Sequence, residues 1–266
     1  MKRRTRRRIP GALPRRNPAG ETIAIDGRRH LGAYSAPRKG KTTLLRGLVL
    51  ALPKGSDFVV IDTAQRGDWN DLGLPTTSDP DALGDPDAYP QVIWTPDIDA
   101  VNRPAKDESD PWSRGWWYLW NVRGETDPLT NVPTAGSTIV VDEPTDGVSF
   151  KVIPLIHRTA TQGEGRNLPI WWGTQNVQSV YWRLRGNTLQ RFAGILPTAQ
   201  DRGILAADWG VELPVLKPGE EAPWGEFYYH APGRALDGPW PIRDLLPEQA
   251  ASRTLAIAEA QRQGGR

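Results

Sequence analysis

Short apolar runs bounded by turn residues recur along the chain, and most of them stand next to stretches with helical spacing. Residues 58–62 (FVVID), 91–95 (QVIWT), 138–142 (TIVVD) and 169–173 (PIWWG) are almost continuously apolar. That is the pattern of strands covered on both faces of a parallel sheet. Residues 29–34 (RHLGAY) read as a further strand that leads into a loop of small and basic residues. Leu44, Leu45, Leu48, Val49 and Leu52 then fall at helical spacing, until Pro53 and Gly55 stop the helix. The pattern predicts helices over 154–162, with Pro154 in the first turn, and over 180–189. It predicts strands over 191–196 and 225–230 and an Ala- and Gln-rich helix over 246–263. Residues 63–90 and 96–115, rich in Asp, Pro and Gly, read as surface connections. Strands alternating with helices imply an α/β fold with a mostly parallel central sheet flanked by helices. One domain is expected over residues 21–245, between an arm at 1–20 and a terminal helix or tail at 246–266.

Charge changes this picture at one end only. The 266 residues carry a net +2, yet the first 16 hold Lys2, Arg3, Arg4, Arg6, Arg7, Arg8, Arg15 and Arg16 and no acid. The rest of the chain keeps 25 basic against 31 acidic groups, a net of −6. So dense an Arg block repels itself, reads as flexible and suits a polyanion. Nucleic acid is the expected partner of these Arg residues, with a solubilising or targeting tail as the alternative. Pro10, Gly11 and Pro14 interrupt the apolar stretch that a secretory signal needs. No window approaches the roughly 18 apolar residues of a membrane span. Neither a signal peptide nor stable membrane insertion is expected. The absence of Cys excludes thiol chemistry and a Cys-built metal site, and with only His30, His157 and His230 a His-rich metal site is not expected. Trp112–Trp120 packs four Trp and a Tyr into nine residues. Packing or a subunit contact is the expected role, and base stacking the alternative.

The chemistry-bearing positions lie at strand ends. Ser35, Ala36, Pro37, Arg38, Lys39, Gly40, Lys41, Thr42 and Thr43 follow a strand and open an amphipathic helix, the context of a phosphate-binding loop. Successive backbone amides there curl around a phosphate, Lys41 reaches the β- and γ-phosphates and the Thr42 hydroxyl ligates Mg²⁺. Ser35 and Arg38 stand where glycines are common. About a hundred residues on, TIVVDE delivers Asp142 and Glu143 at the tip of an apolar strand. Asp142 is the expected Mg²⁺ partner and Glu143 the group that polarises an attacking water. That adjacent Glu separates hydrolysing motors from P-loop kinases and G proteins. Gln175 follows the next strand and is the candidate sensor of the γ-phosphate. A nucleoside triphosphate and Mg²⁺ are the implied cofactors of a P-loop NTPase fold of the RecA/ASCE kind.

SAPRKGKTT (35–43), FVVID with GDW (58–62, 67–69), IVVDEP (139–144), GRNLPIWWGTQN (165–176), WRLRGNTLQRFAGIL (182–196) and GEFYYH (225–230) occur in an order that resembles the FtsK–HerA superfamily. The likeness is strongest to the genome-packaging ATPases of tailless, internal-membrane-containing double-stranded DNA viruses. It spans roughly residues 30–230. The resemblance implies an ATP-driven double-stranded DNA translocase that packages a viral genome into a preformed capsid, working as a homo-oligomeric ring, expected to be a hexamer. It implies active sites completed by a neighbour's arginine, with Arg158 and Arg166 the preferred candidates beside Arg183 and Arg185. It also implies a capsid or portal-vertex partner, and a location in the host cytoplasm or at the virion vertex. Two alternatives stay open. One is a plasmid- or chromosome-handling translocase of the same superfamily, the other a nucleotide-switched DNA-binding protein without productive turnover.

Overall fold

The computed structural model describes residues 13–16, 22–63, 65, 67–97, 110–144, 154–216 and 220–264. Its core is a nine-stranded sheet. In chain order the strands are β3 (Leu31–Tyr34), β4 (Phe58–Asp62), β5 (Thr76–Thr77), β6 (Gln91–Trp94), β7 (Thr138–Asp142), β8 (Ile170–Thr174), β9 (Gln190–Ala193), β10 (Glu226–His230) and β11 (Asp237–Pro241). The spatial order is β11-β10-β9-β3-β8-β7-β4-β6-β5. Every neighbouring pair from β9 to β5 is parallel, and β10 and β11 close one edge antiparallel. The expected α/β architecture is therefore present.

The apolar runs form strands because both faces are covered. Val140 joins one core with Val60, Ile93 and Trp171, while Ile139 and Val141 join the other with Ile61, Trp94 and Trp172. Helix α1 (Lys41–Ala51) packs on the first face with Leu44, Leu45 and Leu48, and gives way at Leu52 before Pro53. Helix α2 (Pro111–Tyr118), capped by the Asp110 carboxylate on Ser113 N–H, continues through a π-turn, Leu119–Arg123, on the second face. There Trp112 stacks on Trp94 with centroids 5.4 Å apart, and Trp116 meets Trp112 edge-on. Both are fully buried, so the aromatic cluster is mainly core; Trp117 is its exposed member. Helices α3 (Pro154–Gln162), α4 (Trp182–Asn187) and α5 (Ala199–Trp209) contribute Ile156, Leu184 and Leu205 to the same face.

The short helix α6 (Ile242–Leu245) and the long α7 (Glu248–Gly264) return the chain to α1. Leu245, Leu246 and Ala251 enter its core, and the Thr254 hydroxyl donates to Thr43 O at 3.1 Å. The terminal helix is thus fastened to the helix that opens the phosphate loop.

A separate hairpin pairs β1 (Leu13–Arg16) with β2 (Thr22–Ile25), Arg16 opposite Thr22. Arg15 and Arg16, expected in a flexible arm, stand in a strand. Arg3, Arg4, Arg6, Arg7 and Arg8 lie outside the described residues. Among the described residues no helix is long and apolar enough to cross a membrane.

Candidate functional site

Register brings the motifs together. Tyr34 pairs with Thr174, Gly173 with Asp142, and Asp142 with Asp62, so the carboxyl ends of β3, β8, β7 and β4 align at one edge. Strand β8, which precedes Gln175, sits between the strand of the phosphate loop and the strand of Asp142. Loops leaving the carboxyl ends of a parallel sheet are where such folds bind ligands.

The loop after β3 turns into α1 through Arg38 and Gly40, at φ 58° and 97°. Left-handed backbone suits Gly40, and a Cβ there would stand 3.2 Å from Gly225 Cα. Gly40 caps α1 without a side-chain hydrogen bond, and the first turn holds no acid. The N-terminal amides of α1 thus face the cleft with the positive end of the helix dipole. Lys41 is buried, its Nζ donating to Ser35 O and Ala36 O at 3.1 and 3.2 Å.

Thr42 Oγ1 donates to Asp142 Oδ2 at 2.9 Å, across the hundred residues that separate the two motifs. The same carboxylate oxygen accepts Trp69 Nε1–H at 3.1 Å. Burial pushes the Asp142 carboxyl up to about 6; the Thr42 bond opposes this, the Glu143 charge adds to it, and the Trp69 bond opposes it again. Among the described residues no group of three or more His, Cys, Asp or Glu forms a metal cage. The donors present are one hydroxyl and one carboxylate beside a phosphate cradle, the oxygen set that Mg²⁺ shares with water and phosphate. A cation there would favour the ionised carboxylate that burial disfavours, so these residues fit Mg²⁺.

Glu143 follows at φ 54°, left-handed backbone for a non-glycine residue. Its Oε1 accepts from Thr174 Oγ1 at 3.0 Å and from Gln175 N–H at 2.9 Å. The carboxylate is thereby held against the tip of β8. Pro37, Arg38, Lys41, Thr42, Asp142, Glu143 and Gln175 line one cleft of about 470 Å³, a volume of the ligand-site class.

Of the expected nucleotide residues, Ser35 and Ala36 contribute carbonyls to Lys41, and Lys39 contributes its carbonyl to Gly225 N–H at 3.1 Å. The four candidate arginines are not brought to this cleft. Arg166 donates to Gly124 O at 2.7 Å with its guanidinium 4.2 Å from the Trp120 centroid. Arg158, exposed on α3, lies 5.6 Å from the same ring. Arg185 bonds Asp208, Val177 O and Val180 O, and Arg183 lies over Trp182. Trp69 stands in the sequence only as part of GDW, and its bond to Asp142 has no signal in periodicity. Trp224, Gln261 and Arg262, which line the cleft from elements far down the chain, had no sequence signal at all.

Sheet topology and cleft together define a P-loop NTPase fold of the RecA/ASCE kind. No family profile and no curated protein matches the chain. Among solved structures it is similar to the genome packaging NTPase B204 from Sulfolobus turreted icosahedral virus 2 in complex with AMP. That match has a TM-score of 0.56 and 14% identity, over 82% of this chain and 99% of that one. It is also similar to EssC (ATPases 2 and 3) from Geobacillus thermodenitrificans, at TM-score 0.53 and 14% identity, over 95% of this chain and 49% of that one. A third is the cytoplasmic domain of the Thermomonospora curvata type VII secretion ATPase EccC, at TM-score 0.51 and 19% identity, over 89% of this chain and 28% of that one. The likeness to these structures, each under 20% identical, is one of fold.

Proposed function

We propose that the chain is an ATP-driven double-stranded DNA translocase that packages a viral genome into a preformed capsid, working as a homo-oligomeric ring with six subunits the expected number. The observation that carries the reading is the convergence of Lys41, Thr42, Asp142, Glu143 and Gln175 on one cleft at the carboxyl edge of the sheet. The likeness to the packaging NTPase B204, spanned almost end to end, supports the packaging branch. A likeness to the pCW3 conjugation coupling protein TcpA, at TM-score 0.50 and 14% identity, favours plasmid transfer as the second reading.

In this reading the α1 amides and Lys41 bind the phosphates of ATP. Thr42 and Asp142 would hold Mg²⁺, which supplies charge neutralisation. Glu143 orients the attacking water and takes its proton, while Gln175 reports the γ-phosphate. Because Gln175 N–H also holds Glu143, motion of that residue bears directly on the base. None of the four candidate arginines lines the chain's own cleft, which suits an arginine supplied by a neighbour in the ring. Arg158 is the first choice, because Arg166 is committed to Gly124.

ATP hydrolysis with and without double-stranded DNA tests the reading, alongside electron microscopy with a non-hydrolysable nucleotide. DNA-stimulated turnover is expected in a ring with DNA through its centre. Lys41→Ala and Glu143→Gln should each lower kcat by about a hundred-fold or more. Unchanged hydrolysis in both variants overturns the site assignment, and a persistent monomer overturns the motor.

A further inference from the structure

One wall of the cleft is unused by the hydrolysis scheme. It consists of Trp224, in the turn before β10, with Ala258 and Arg262 on α7. The Arg262 guanidinium lies 4.1 Å from the Trp224 ring centroid, a cation–π contact. Both supports of this wall are fixed to the phosphate cradle. Gly225, next to Trp224, donates its N–H to Lys39 O at 3.1 Å, and Ile242 N–H in turn bonds Gly225 O at 2.8 Å. On the other side, α7 is fastened to α1 by Thr254 on Thr43 O and by Arg46 on Gln261 Oε1. A half-buried indole backed by a cation is therefore held at a set position relative to Lys41 and Thr42. That is the arrangement a flat aromatic group stacks on.

We propose that Trp224, backed by Arg262, is the stacking shelf for the base of the bound nucleotide, which makes the C-terminal helix part of the nucleotide site; this rests on the nucleotide reading above. The wall reads ring area rather than ring edges. Gln261, the amide beside it, already gives its Nε2–H to Asp71 Oδ2 at 2.7 Å and its Oε1 to Arg46. The shelf thus favours purines over pyrimidines and does not separate adenine from guanine.

The test is equilibrium binding of ATP, GTP, CTP and inorganic tripolyphosphate to the full chain and to Trp224→Ala, Trp224→Phe, Arg262→Ala and Lys41→Ala. Trp224→Ala should weaken ATP and GTP about ten- to a hundred-fold. It should erase the purine preference and leave tripolyphosphate binding unchanged, while Trp224→Phe restores most of the loss. Arg262→Ala, at an exposed position on α7, should weaken purine nucleotides a few-fold and spare tripolyphosphate. ATP affinity unchanged in Trp224→Ala and Arg262→Ala, but lost in Lys41→Ala, overturns the shelf and keeps the nucleotide site. An equal loss of ATP and tripolyphosphate also overturns it, because the indole then only props up the loop. A chain that binds neither ligand overturns shelf and nucleotide reading together.

Discussion

Lowering the pH should destabilise this protein through one buried imidazole. His30 stands just before β3, almost wholly buried. Its Nδ1 accepts the N–H of Ile170, the first residue of β8, at 2.8 Å, and the His30 backbone N–H donates to Glu164 Oε1. Burial pushes the imidazole down from 6.5 to about 4, against the opposing pull of the Glu164 carboxylate. The sign follows from proton binding: below 6.5 the unfolded chain takes up a proton that the folded chain refuses. Stability present above pH 6.5 is therefore lost as the pH falls toward 4. The difference between the two values is worth about 3 kcal/mol in the limit, of which about 2 kcal/mol is gone by pH 5. Other groups titrate in the same window, so the comparison is with His30→Gln, whose amide oxygen can still accept from Ile170 without titrating. Urea unfolding at pH 7, 6 and 5 should show the natural chain losing about 2 kcal/mol more than the variant over that range. Parallel stability profiles would refute the reasoning.

Trp69→Phe keeps an aromatic ring in the core but removes a donor to the buried Asp142 carboxylate. It should lower kcat/KM about ten-fold or more at limiting Mg²⁺, and an unchanged Mg²⁺ dependence would show the bond to be idle. Gly194→Ala places a Cβ 2.5 Å from Ser35 Oγ. It should cost about 1–3 kcal/mol in denaturant unfolding and raise KM for ATP by displacing the loop. Deleting residues 1–12 removes Lys2, Arg3, Arg4, Arg6, Arg7 and Arg8. The slope of log affinity for DNA against log salt should fall by up to about five, with DNA-independent ATPase retained; an unchanged slope assigns the segment to solubility or targeting.

The elements legible in the sequence were those whose local pattern has only one physical solution. FVVID, TIVVD and PIWWG are apolar at both parities, so burial on both faces was the sole outlet, and α1 carried its own periodicity and stop. The phosphate loop and the acidic strand tip were legible because each needs particular residue types within a few positions. Sheet order was not, since nothing local says that β8 lies between β3 and β7. Helix α5 is hard to read in the sequence because Gly203 interrupts it and its larger apolar residues crowd its second half, and Pro14 with its Arg neighbours masks β1. Trp69 and Asp142 meet across 73 residues, Trp224 and Arg262 across the closing helices. Such meetings are products of packing, with no trace in spacing.

The doubly covered sheet also bears on how this architecture tolerates change. Its strands need apolar character and the right volume, and many residue combinations satisfy that demand at little cost. The tips of β3, β7 and β8 need a particular hydroxyl, carboxylate or amide, and a single methylene of error there moves a charge. Sequence freedom is thus concentrated in the interior and withdrawn from one edge a few residues deep. Two chains of this design can share a fold at 14% identity, and a search for kin is better aimed at that narrow rim than at the bulk of the domain.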